Sequence, residues 1–85
     1  YPNPFNPSTT IEFALAKPGG ARLDVYTIDG RHVRTLVDRN LASGPHSAVW
    51  NGTDQAGRSV GSGTYFYRLT TVSGFSEAGR MVLVK

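Results

Sequence analysis

The 85 residues contain no cysteine, which excludes disulfides, thiolate metal sites and cysteine nucleophiles but fits either redox compartment. No apolar run is long enough for a signal peptide or a membrane span. The chain opens at Tyr1 rather than methionine, so it is expected to be a piece of a longer protein, with any export signal upstream. Acidic residues are few and scattered: Glu12, Asp24, Asp29, Asp38, Asp54 and Glu77 stand apart, with only His32 and His46 as bases. No local pair suits acid–base work and no serine-nucleophile motif is present, so no catalytic residue is assigned. The net charge of +3 comes from arginines and lysines placed singly along the chain, never as a basic run. That pattern fits a solvated surface better than a nucleic-acid footprint.

Two ligand motifs fail on inspection. Counted from Asn51, a calcium loop would place Thr53 and Gln55 at ligand positions and Ser62 at the twelfth, where glutamate is needed. Gly61-Ser62-Gly63 lacks the further glycine of a phosphate cradle and leads into a strand instead of a helix. No metal and no cofactor is expected.

What is present is β-forming. Gly61 to Thr71 opens on glycines, runs on in aromatic and β-branched residues, and is expected to be the central strand, with Tyr65, Tyr67 and Leu69 on one face. Its start resembles strand F of immunoglobulin-like sandwiches, where a tyrosine sits at the sheet corner two residues before an inward position, here Tyr67. Residues 8–15 alternate with Ile11, Phe13 and Leu15 on one face, and His46, Ala48 and Trp50 alternate on another short strand. Pro18-Gly19 suits a type II turn into a strand over residues 21–27. Asp29-Gly30 marks a hairpin with a three-residue loop, Gly30 left-handed, pairing Val25 with Val33 and Asp24 with Arg34. Tyr26, Ile28 and Leu36 are left on the opposite face, for another segment to cover. Residues 38–45 read as a crossing loop, Asp54 to Gly57 as a type I turn, and Ser73-Gly74 as a tight turn into a last strand over 75–85, with Gly79 marking a bulge.

The expected fold is therefore all-β: one immunoglobulin-like antiparallel sandwich of about seven strands without a disulfide. It spans 1–85, with a proline-rich lead-in over 1–7, which Tyr1 and Phe5 pin down, and the sandwich over 8–85. Phe13, Leu23, Val25, Trp50, Tyr65, Tyr67 and Leu69 are its expected core. A domain this small has only about 4–13 kcal/mol of stability, so a few large side chains dominate.

Along essentially its whole length the chain resembles a type IX secretion C-terminal sorting domain, a family similar in fold to the immunoglobulin-like domain of the flagellar hook-capping protein. The resemblance rests on Tyr1 to Pro7, Leu23 to Tyr26 with Gly30-Arg31, Trp50-Asn51-Gly52 with Asp54 and Gly57-Arg58, Ser62 to Leu69, and Met81 to Lys85. It implies a non-catalytic address label on an exported, cell-surface or extracellular bacterial protein. The implied partners are an upstream cargo domain, the outer-membrane secretion machinery and a sortase-like peptidase, with no nucleic acid. Arg68, Arg80, Met81, Val82, Leu83, Val84 and Lys85 are the candidate recognition residues. Two other readings stay open, a structural module that links domains or assembles through strand edges and a carbohydrate-binding module with exposed aromatics.

Overall fold

A computed structural model describes residues 8–74 and 76–84. The lead-in with Tyr1 and Phe5, together with Phe75 and Lys85, lies outside the described residues. Six strands follow one another: β1 (Thr9–Leu15), β2 (Gly19–Thr27), β3 (His32–Leu41), β4 (Gly44–Trp50), β5 (Gly63–Thr71) and β6 (Ser76–Leu83). β1 pairs with β4 in a two-stranded sheet, and a four-stranded sheet has the order β3-β2-β5-β6, all antiparallel. The inner faces of both sheets share one apolar cluster, from Ile11, Phe13, Leu15 and Trp50 on one side to Leu23, Val25, Leu69, Met81 and Leu83 on the other. Period-two alternation produces this directly, because every second side chain of a strand faces the same way.

Six strands are present among the described residues instead of about seven. Between β4 and β5, Asn51, Gly52, Asp54 and Gly57 favour turns over a ladder, and only an isolated Thr53–Ser59 bridge forms there. The Asp54 turn has the expected geometry: the Gly57 amide donates to the Asp54 carbonyl at 3.0 Å, and Asp54 Oδ1 accepts from the amides of Ala56 and Arg58. Gly74 likewise donates to the Thr71 carbonyl at 3.0 Å in the turn before β6. Two connections differ from expectation. Gly19 already pairs with Leu41 as part of β2 and is not the left-handed corner of a type II turn. The crossing between sheets after β3 is confined to Ala42 and Ser43, because Asp38 to Leu41 continue the ladder with Gly19 to Arg22.

The hairpin between β2 and β3 separates turn chemistry from register. Its loop has three residues as expected: the Thr27 amide donates to the Arg31 carbonyl, the Gly30 amide to the Thr27 carbonyl, and Gly30 has φ +90°. The pairing then departs. Tyr26 faces His32, but Val25 faces Arg34 and Asp24 faces Thr35, because Val33 and Leu36 are each left without a partner at two bulges. The extra residues turn inward, so Val33 is buried and Leu36 packs against the core instead of standing on the outer face.

Candidate functional site

The end of the sandwich where β4 stops and β5 starts is built on Trp50 and Tyr65. Trp50 has no exposed surface, its indole N–H donates to the Thr53 carbonyl at 2.9 Å, and its ring meets Tyr65 edge-on with centroids 4.9 Å apart. The Tyr65 hydroxyl donates to the Gly61 carbonyl at 2.6 Å, tying the strand to the segment four residues upstream. This is the corner tyrosine expected from the sequence. Phe13, Leu23, Val25 and Leu69 are buried with them. Tyr67 is only half-buried and packs on the edge of the core. Its ring lies over Gly79, its cross-strand partner in an unbroken register, so Gly79 marks a close approach and not a bulge.

On the outer face of the four-stranded sheet, Asp24 is a buried carboxylate with four per cent of its surface exposed. Oδ2 accepts from Arg22 Nε at 2.9 Å, and Oδ1 accepts from the Thr35 hydroxyl at 2.6 Å and lies 3.0 Å from His32 Nε2. The bulge at Val33 is what makes this cluster, since it sets Thr35, not Arg34, opposite Asp24. Burial alone would raise the Asp24 pKa, but hydrogen bonds from Thr35, Arg22 and His32 outweigh it and hold the group below its ordinary value. The same contact raises the Arg22 pKa. Among the described residues no buried side-chain nitrogen or oxygen lacks a hydrogen-bond partner, and no three of His, Asp and Glu gather as a metal site.

Arg34 and Gln55 tie the hairpin end of β3 to the segment between β4 and β5. Arg34 Nη1 donates to the Thr53 hydroxyl and to the Asp54 carbonyl at 2.9 and 2.8 Å. The Gln55 amide donates to the Val33 carbonyl, and its side-chain oxygen accepts from the Thr35 amide. A single residue thus occupies two ladder positions.

Beside the Asp24 cluster, β2, β5 and β6 form a shallow groove of about 420 Å³ lined by Tyr26, Ile28, Phe66, Arg68 and Ala78 among others. Tyr26 pairs with Phe66, and Phe66 with Arg80, whose guanidinium carbon lies 5.8 Å from the Phe66 ring centre. The segment expected to cover Tyr26 and Ile28 is not found among the described residues, and Ile28 is 67% exposed. Arg68 and Arg80, both candidate recognition residues, share this outer face. Val82 and Val84 are exposed, whereas Met81 and Leu83 are buried in the core and unavailable to a partner. The groove and the Asp24 cluster escaped assignment, although Arg22-Asp24-Tyr26 and Phe66-Arg68 alternate visibly on the face opposite the core.

The family model of the FlgD Ig-like domain matches residues 5–74. The structure of FlgD from Pseudomonas aeruginosa is similar with a TM-score of 0.72 and 23% identity, over 89% of this chain and 60% of that one. FlgD from Xanthomonas campestris, whose structure bears on the hook capping essential for flagellar assembly, gives 0.71 and 22%, over 92% of this chain and 58% of that one. The chain thus spans less than two thirds of each of these proteins. None of the curated proteins matches it. These matches correct the expected identity and partners: they lie with the FlgD Ig-like domain and not with a type IX sorting domain. The outer-membrane secretion machinery and the sortase-like peptidase fall away with it.

Proposed function

The chain belongs to the FlgD Ig-like domain family, and from that premise we propose that it is a non-catalytic structural module that links or assembles protein chains. Hook capping is described for a Xanthomonas protein of which this chain spans little more than half, so the proposal concerns the mechanical role of the module. Its support is the use the fold makes of its polar and aromatic groups. Trp50 and Tyr65 are enclosed, and Asp24, the buried carboxylate, is engaged on both oxygens by neighbours. A sugar-binding module would offer such rings as a platform; here Trp50 has no exposed face. A location outside the cytoplasm belongs to the same proposal and is checked by fractionating native cells.

Deleting residues 8–84 from the parent protein tests the role. The expected result is loss or change of the assembled state, seen by sedimentation and electron microscopy, with any activity of neighbouring domains retained. An unchanged assembly, or turnover or glycan binding by the isolated domain, overturns it.

A further inference from the structure

The groove on the outer face combines a sunken apolar floor with positive charge at its rim. Tyr26 and Phe66 are half-buried neighbours, Ile28 stands exposed at one end, and Val82 is 62% exposed on the adjacent strand. Arg68 and Arg80 project from the same face of β5 and β6. The nearest cross-strand carboxylate to Arg68 is Asp24, but both its oxygens are engaged by Arg22, Thr35 and His32. Asp29 in the hairpin accepts from the Thr27 hydroxyl. Among the described residues, neither Arg68 nor Arg80 has a carboxylate within ion-pair distance. Two unneutralised guanidinium groups beside an aromatic floor are a complement for carboxylates flanking an apolar side chain.

We propose that this face docks an acidic segment of a partner protein, with one apolar side chain seated among Tyr26, Ile28 and Phe66 and its flanking carboxylates on Arg68 and Arg80. A second copy of the chain is a poor occupant, because each copy carries a net charge of +3 and would bring the same arginines to the contact. An anionic membrane or a nucleic acid calls for a run of cations, whereas this face offers two separated ones and an apolar floor. Exposed ion pairs and one seated side chain give a weak, exchanging contact. The inference rests on the assembly role, yet can fail alone: deletion in the parent tests that role without reference to this face.

The test is a titration of the isotope-labelled 85-residue chain with the capped peptide Glu-Asp-Phe-Asp-Glu, its amide counterpart Gln-Asn-Phe-Asn-Gln and the basic Lys-Lys-Phe-Lys-Lys, followed by amide chemical shifts. Shifts confined to Tyr26, Ile28, Phe66, Arg68 and Arg80 are expected, with the acidic peptide at least about tenfold tighter than the amide one. Salt should weaken it. The double change Arg68→Gln, Arg80→Gln should remove that tenfold preference while the melting temperature holds. Should that variant fail to fold, the peptide comparison and the salt dependence on the unaltered chain decide alone. Equal binding of acidic and amide peptides, shifts elsewhere, or no shift at millimolar peptide overturns the proposal. So does tighter binding of heparin or anionic vesicles at the same residues, or self-association through this face in sedimentation.

Discussion

The Tyr67 ring lies across Gly79 so closely that a β-carbon there would sit 2.4 Å from ring atoms Cε2 and Cζ. Cross-strand pairing sets the two residues opposite each other, and the missing side chain of one is the space that the other fills. Gly79→Ala must push the ring outward, away from the core edge. An expected cost of about 1–3 kcal/mol follows from overpacking. In a Tyr67→Ala background the same change should cost little, and a double-mutant cycle by denaturant unfolding measures the difference. Equal costs in both backgrounds would remove the ring from the explanation.

Trp50→Ala deletes the largest side chain with no exposed surface. It should cost about 3–5 kcal/mol, most of what a domain of this size has. The melting temperature should fall by roughly 12 °C or more; a mutant melting within a few degrees of the parent would be irreconcilable with the burial.

Tyr65→Phe keeps the edge-on contact with Trp50 and removes only the hydroxyl that binds the Gly61 carbonyl. The loss should be about 0.5–1.5 kcal/mol, towards the lower end because the exposed Gly61 can turn to water. Chemical denaturation of the pair gives the number directly.

Asp24→Asn removes the charge from the outer-face cluster and should cost about 1–3 kcal/mol at neutral pH. The folded carboxyl titrates below the ordinary value of 3.8, so the stabilisation from its ionised form is full above that pH and drains away as pH falls through the lower folded value. The gap between parent and variant should therefore narrow on going from neutral pH to below about pH 3. Urea midpoints for the two proteins across that range settle it; a gap constant with pH would mean that the charge carries none of the effect.

Gln55→Ala frees the Val33 carbonyl's neighbour on β3, the Thr35 amide, which then has only water. Stability should change by about 1 kcal/mol or less, whereas concentration-dependent association should rise because the edge is opened. Sedimentation of parent and variant at matched concentrations reads this out, and identical profiles would show that Gln55 is dispensable to the edge.

The strands and the core were legible because alternation survives in single sequence: Ile11, Phe13 and Leu15, or Tyr65 and Leu69, can face inward only together. The corner tyrosine was legible too, since a glycine-rich approach and Tyr65 specify a local bond four residues long. Register was not. Turn chemistry fixed the loop at Gly30, but two bulges at Val33 and Leu36 answer to the demand for more apolar side chains in the core than strict alternation supplies. The Asp24 cluster depends on the bulge at Val33, and the groove depends on which strands become neighbours across the sheet, so neither has a signal local to any one segment. The candidates at Met81 and Leu83 went astray for a related reason: a run apolar on both sides conceals which side faces in until β5 fixes it.

Gln55 takes two places on the outer margin of β3, at Val33 and Thr35, and β6 forms the opposite margin of the four-stranded sheet. Two copies meeting margin to margin through β6 would be related by a two-fold axis and would present their β3 margins to the outside. A growing ribbon needs a donor side and an acceptor side on every copy. Through this sheet, then, a ribbon would have to add its third member at the β3 margin, where Gln55 already holds two of the places that a new strand would take.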